Sequence, residues 1–247
     1  MNRTKLLSAI ILSSSAIASN AAVITLNFEG IAPFPNESDV LIGGFYNGGT
    51  ASNGAMGPNY GVEFSAGAVV LCLDSVTVTC SNTSKGGLGV PGSDKGAMYF
   101  PTANPYMNVA AGFDTGFSLA YTNPFAQTEG VAIYDGVNGT GTLLGSFALA
   151  PTTNGGNGAC AAYGNPNYCP FASASLAFSG TAKSVLFTGV NNLSTYDDFT
   201  FGSTTVGGVP AVPEPETWAL MLSGLVAAGF AGRKRLRGDG SSAHSGT

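Results

Sequence analysis

Charge is the scarcest commodity in this 247-residue chain: Asp, Glu, Lys and Arg together make up 9% of it. Histidine is scarcer still, with His244 the single example, close to the C-terminus. Without a histidine upstream, Ser-His-Asp and Cys-His catalysis are excluded from the body of the chain. No Gly-x-Ser-x-Gly elbow is present, and no glycine-rich loop ends in Lys-Ser/Thr to cradle phosphate. Basic residues are missing from the middle as well. Arg3, Lys5, Arg233, Lys234, Arg235 and Arg237 occupy the two ends, and residues 23–216 keep only Lys85, Lys95 and Lys183. All the acids except Asp239 lie in that same middle stretch. Such a segment repels a phosphate backbone, which excludes nucleic acid as a partner.

What the chain has is glycine, 36 residues, with 13 prolines and 10% aromatics. Glycine-rich punctuation between short runs of Val, Thr, Phe and Tyr is the composition of strands and turns. The opening run VITLNFEG, residues 23–30, alternates and then stops at glycine. Residues 31–60 are dense in Gly, Asn, Pro and Ser and predict a long loop. Short strands are expected at 61–64, 69–73, 76–79, 97–100 and 107–110. A longer one is expected over 113–121, with Phe113, Thr115, Phe117, Leu119 and Tyr121 on one face. The clearest hairpin joins 131–134 to 142–149 through Asp135-Gly136 and Asn138-Gly139, dipeptides that accept positive φ. Strands at 176–178, 184–188 and 198–201 complete the set. Ten to twelve short strands and no helix predict an all-β domain, an antiparallel jelly-roll-like β-sandwich over residues 22–202.

The two ends are built differently. Residues 1–21 have a basic start (Arg3, Lys5), an apolar centre and small residues at Ser19-Asn20-Ala21, which predicts a cleaved secretory signal peptide. After a Gly/Thr/Val linker, 203–211, comes residues 212–237, VPEPETWALMLSGLVAAGFAGRKRLR. Pro213 and Pro215 fix an extended segment. Trp218 to Gly232 is an uncharged apolar run, about 22 Å long as a helix at 1.5 Å per residue. Arg233, Lys234, Arg235 and Arg237 follow and predict a cytoplasmic end by the positive-inside rule. A short polar tail, 238–247, closes the chain.

That order, Val212-Pro213-Glu214-Pro215 then an apolar span then a basic cluster, resembles the PEP-CTERM sorting signal of Gram-negative bacteria. The resemblance implies recognition and cleavage by an exosortase, after a transient hold in the inner membrane. Residues 111–117 (AGFDTGF), 134–141 (YDGVNGTG), 178–185 (FSGTAKSV) and 197–202 (DDFTFG) are similar to stretches in other proteins that carry this signal. Those proteins are associated with exopolysaccharide or an extracellular matrix, so the implied product is a non-enzymatic surface or matrix protein. A carbohydrate-binding lectin is the alternative, and a glycoside hydrolase the remote one.

Export fits the cysteines. Cys72 and Cys80 are close in sequence, as are Cys160 and Cys169, and two small-loop disulfides are expected in that pairing. Four cysteines allow three pairings, and locality selects this one. A zinc site is the competing use, but no Cys-x-x-Cys is present to begin one.

Acids are the remaining chemistry. Glu29, Glu63, Asp114, Glu129, Asp197 and Asp198 could supply the two carboxylates of a glycosidase, but sequence spacing does not pair them. Glu29 ends the first strand and Asp197-Asp198 opens the last. This resembles carbohydrate-binding jelly rolls that hold a structural calcium between an early Glu and a late Asp, which implies Glu29 and Asp198 as ligands with Asp197 the alternative. Calcium is the one cofactor expected. Sugar stacking would fall to tyrosines in or beside loops: Tyr60, Tyr99, Tyr106, Tyr163 and Tyr168.

Overall fold

A computed structural model describes residues 23–31, 39–73, 93, 95–124, 129–152, 169–189 and 194–208. Within them lie twelve strands and no helix. In chain order they are β1 (Ile24–Leu26), β2 (Val40–Leu41), β3 (Val62–Phe64), β4 (Val69–Cys72), β5 (Gly96–Tyr99) and β6 (Tyr106–Phe113). Then come β7 (Gly116–Thr122), β8 (Glu129–Tyr134), β9 (Leu143–Leu149), β10 (Ala172–Ala177), β11 (Ala182–Thr188) and β12 (Thr195–Phe201).

The strands form two antiparallel sheets. One runs β10-β7-β12-β5-β4-β2, with β1 also paired to β12; the other runs β3-β6-β11-β8-β9. Their facing sides enclose one aromatic core. Phe28, Phe100, Phe117, Phe187, Tyr196, Phe199 and Phe201 are all fully buried in it. Most of the rings meet edge-on or tilted, as Phe28 does with Phe199 at 5.6 Å between centroids and Phe187 with Tyr196 at 5.3 Å, while Phe187 stacks on Phe199. Each such side chain contributes about 1.5–3 kcal/mol by leaving water. The expected all-β sandwich is therefore the fold.

Three expectations change in detail. The single strand over 113–121 is two strands in different sheets. Gly116 N bonds Asp114 O at 2.7 Å, and Thr115 takes φ of 66°, so the chain turns there. Phe113 and Phe117 still both point inward, because the chain steps from one sheet to the other across the core they share. The loop over 31–60 contains β2 and two isolated bridges, Asn47 with Asn59 and Thr50 with Met56.

The last strand is longer than expected and bulged. Its register with β7 pairs Asp197 with Ala120 but Thr200 with Ser118, so β12 carries one extra residue. That residue switches the phase of the strand. Tyr196 faces the core before the bulge, and Phe199 and Phe201 face it afterwards. Asp198, at φ 47°, is where the switch occurs.

Cys72 and Cys169 are buried, and neither is a free thiol. Cys80 and Cys160 lie outside the described residues, so both pairings stand as proposals. The strand expected at 76–79, residues 1–22 and residues 209–247 also lie outside. No helix among the described residues is long and apolar enough to cross a membrane.

Candidate functional site

Strand β12 is flanked on one side by β7 along its whole length. On its other side it changes neighbours. Tyr196 pairs with Met98 of β5, whereas Phe199 to Phe201 pair with β1. The bulge at Asp197–Asp198 sits at that changeover, where two strand ends leave a gap. Three segments meet there: the chain leaving β1, the chain entering β5, and the bulge itself.

Each segment brings oxygen. Glu29 follows β1, and its Oε1 accepts hydrogen bonds from Lys95 N at 2.8 Å and Gly96 N at 3.1 Å. It thus closes the gap by satisfying the two amides that lead into β5. Phe28 makes the placement of Glu29 possible. Its φ of 56° is a conformation that bulky residues avoid, at a cost of about 1–3 kcal/mol. The fully buried ring and a bond from Phe28 N to the Tyr46 hydroxyl, 2.9 Å, hold it there.

Asp197 is fully buried and Asp198 nearly so, at 3% exposure. Asp198 N donates to Asp197 Oδ1 at 2.7 Å. Ser93 Oγ lies 3.0 Å from Asn27 O and 3.3 and 3.4 Å from the two Asp197 oxygens. Ser93 has one hydrogen, and the Asn27 carbonyl can only accept. When Ser93 donates to Asn27, a bond with Asp197 requires a protonated aspartate. The electrostatics agree: burial, then the charge of Asp198, pushes the Asp197 pKa well above the ordinary range. Burial also raises Asp198 to about 7, with Glu29 adding to the rise. Asp198 Oδ2 is buried with no hydrogen-bond partner.

Glu29, Asp197 and Asp198 share one electrostatic neighbourhood, in which Glu29 raises the pKa of both aspartates. The structure also adds Ser93 and Asn27, which no sequence pattern marked. The donor set is all oxygen, which is the chemistry that Ca²⁺ takes, and the orphaned Asp198 oxygen is an acceptor in want of a cation. The fit has a limit. No three Asp, Glu, His or Cys side chains among the described residues converge closely enough to hold a metal by themselves. An ion here would draw on two carboxylates at most, completed by neutral oxygens.

A third buried carboxylate, one of the six acids singled out in the sequence, stands apart from this cluster. Glu129, at the start of β8, accepts hydrogen bonds from Ser194 Oγ at 2.7 Å and from the Tyr196 hydroxyl. Burial raises its pKa, and the two hydrogen bonds oppose that rise. Glu129 also lines a trough of about 480 Å³ over the outer ends of β8 and β9. The floor is small: Gly130, Ala132, Ser146, Ala148 and Thr188. Glu129 is the one carboxylate in that lining.

The remaining candidates scatter. Glu63 is exposed and accepts from Asn47 Nδ2 at 2.7 Å. Tyr60 is 41% exposed and stacks on buried Tyr46, with rings 6.2 Å apart and 14° from parallel. Tyr99 is half-buried and bonds Asp39, and Tyr106 is half-buried on β6. Tyr163 and Tyr168 lie outside the described residues.

No curated protein sequence matches the chain. Among solved structures, the chain is similar to CsCBM6-3 from Clostridium stercorarium in complex with cellobiose. The two are 16% identical over 46% of this chain and 78% of that one, at a TM-score of 0.30. It is similar to the carbohydrate-binding module CBM6cm-2 from Cellvibrio mixtus lichenase 5A in complex with cellotriose. Here identity is 5% over 57% and 89% of the two chains, at a TM-score of 0.34. The K2 cleaved adhesin domain of Lys-gingipain gives 16% identity over 73% and 99%, at a TM-score of 0.38. Likenesses at this level carry nothing about ligand or activity. The C-terminal stretch gives a sharper match: residues 211–235 fit the PEP-CTERM protein-sorting motif, and the chain is a PEP-CTERM domain-containing protein.

Proposed function

We propose that this is a non-enzymatic surface or matrix protein of a Gram-negative bacterium. An exosortase cuts it near Pro213-Glu214-Pro215 after export, and its β-sandwich associates with exopolysaccharide. The observation that carries the reading is the sorting motif over residues 211–235. The acids of the sandwich support the non-enzymatic part. Glycoside hydrolysis needs two carboxylates flanking one open cleft. Here Asp197 and Asp198 are buried at the strand changeover, Glu129 is buried against Tyr196, and Glu63 is engaged with Asn47.

Mass spectrometry of the exported protein tests the processing step. A mature chain ending near Pro213-Glu214-Pro215 is expected, and recovery of the intact 212–237 segment overturns it. Co-sedimentation with the host exopolysaccharide tests the association. Release of sugar from that polymer would overturn the non-enzymatic reading.

A second reading is a lectin-like module with a structural calcium. The buried, partnerless Asp198 Oδ2 beside Glu29 favours it. Glu29 and Asp198 would hold the ion, with Asp197 the alternative. The ion would neutralise the carboxylates and pin the end of β1 to the bulge of β12. Exposed Tyr60, stiffened by its stack on Tyr46, offers a flat apolar face of the kind that sugar rings cover.

A further inference from the structure

Each sheet of a sandwich has two edge strands, and an edge is a template for another chain unless something blunts it. Besides β1, which pairs with β12 alone and has three residues, four edges are open among the described residues, and three of these are blunted. β2 has two residues, and β3 has three with exposed Glu63 among them. β9 carries a register shift against β8 where Leu143 follows Tyr134, and Gly145 lies beside it. Shifts of this kind twist an edge out of plane.

The fourth edge, β10, has none of these devices. Its sequence, ASASLA, holds no charge and no proline. Its register with β7 is unbroken for six residues, from Ala172 opposite Tyr121 to Ala177 opposite Gly116. Ala172, Ala174 and Leu176 lean toward the core, and Ser173, Ser175 and Ala177 are exposed on the outer side. Among the described residues, β10 pairs with β7 alone. The outward side chains are small and uncharged, so they raise no charge barrier to a strand laid alongside, while Leu176 on the inward side packs against Gly145 of β9.

We propose that β10 is a self-association edge, and that its partner is β10 of a second copy of this chain, paired antiparallel about a two-fold axis. Self-pairing follows from the pattern. In an antiparallel pair, residues directly opposite share a face. An axis through Ser175 sets Ser175 against itself, Ala174 against Leu176 and Ser173 against Ala177. Every apolar inward residue then meets an inward residue, and every small outward residue an outward one. The two seven-stranded sheets become one continuous sheet, and the two cores become neighbours. This closed, isologous arrangement consumes the one long unblunted edge among the described residues.

The test uses the full chain in non-ionic detergent. Sedimentation over rising protein concentration is compared for the wild type, for Ser173→Lys with Ser175→Lys, and for Ser146→Lys on blunted β9. A wild-type dimer is expected. The lysine at 175 faces its own copy across the axis, the lysine at 173 lies diagonal to it, and together they weaken the dimer at least ten-fold, while Ser146→Lys leaves it unchanged. All these positions are exposed, and unchanged melting temperatures confirm that the monomer fold survives. A second variant, Ser175→Cys, should give a dimer linked through that residue on a non-reducing gel, whereas Ser146→Cys should not. A monomeric wild type overturns the proposal. So does dimerisation that ignores the β10 lysines, or cross-linking through Ser146→Cys in place of Ser175→Cys.

Discussion

The Tyr196 hydroxyl donates a hydrogen bond to Glu129 in the interior of the sandwich, joining β12 of one sheet to β8 of the other. Ser194 holds the second oxygen of the same carboxylate. Both Glu129 and Tyr196 are almost inaccessible to solvent, so neither can trade its partner for water.

Removing one partner from this pair strands the other. Glu129→Ala leaves two buried hydroxyls unsatisfied, at about 1–3 kcal/mol each. Glu129→Gln keeps an acceptor and the shape. The alanine variant should melt several degrees lower than the glutamine variant, since about 1 kcal/mol shifts a domain of this size by roughly 2–4 °C. Equal melting temperatures for the two would show that the pair does not stabilise the fold.

The acid cluster at the β12 bulge predicts a pH dependence in metal-free buffer. The Asp198 pKa is raised from 3.8 to about 7, and burial raises that of Asp197 well above its ordinary value too. Below 3.8 both folded and unfolded chains hold these protons, and the stabilisation is fully present. As pH rises the unfolded chain ionises first, so stability falls until the folded groups follow. With EDTA present, the melting temperature should drop between pH 4 and 7. A rise over that interval would contradict the buried, cation-free cluster.

Calcium should reverse this. On the calcium reading the ion binds the ionised carboxylates, so the melting temperature at pH 7.5 should climb with added Ca²⁺ as mass action requires. Glu29→Gln and Asp198→Asn should each abolish the rise. An equal rise in wild type and variants would place the ion elsewhere, and no rise in the wild type would remove the calcium reading.

Phe28 ties the cluster to the core. Its ring touches Tyr46, Phe64 and Phe199 while its backbone sits at φ 56°. Phe28→Ala should cost about 3–5 kcal/mol, as large-to-small core changes do. It should also blunt the calcium response, because the Phe28 backbone aims Glu29 at the Lys95 and Gly96 amides that hold it beside β5. A response of wild-type size in a folded Phe28→Ala protein would separate the ring from the site.

The hairpin between β8 and β9 offers a cleaner backbone test. Gly139 has φ of 67°, and a Cβ there would meet the Leu186 side chain at 3.3 Å. Gly139→Ala should lose about 1–2 kcal/mol from the left-handed backbone alone. Chemical denaturation would read it, and an unchanged midpoint would mean that the turn relaxes freely.

Local features of the chain were legible without coordinates. The Asn138-Gly139 turn and the strands beside it follow from residue chemistry over a few positions, and the hairpin forms where the dipeptides place it. The sorting motif is equally local, because its order of proline, apolar run and basic cluster needs no folding to be recognised. The reading over 113–121 went astray because a turn that crosses between two sheets preserves inward parity. Thr115, a residue that rarely takes positive φ, gives no warning of it. The bulge did leave a trace: Tyr196 stands on one parity, and Phe199 and Phe201 on the other.

By itself, then, the sequence determined the class of fold, the route of the protein and the list of acids available. Those depend on composition and on neighbours along the chain. Tertiary structure alone decided which acids meet. Glu29 comes near enough to Asp198 to raise its pKa because β1 and β5 share β12 and leave a gap between them. Glu129 reaches Tyr196 because two sheets stack face to face. Contacts between residues that distant in the chain arise from strand order and register, and no local pattern encodes either.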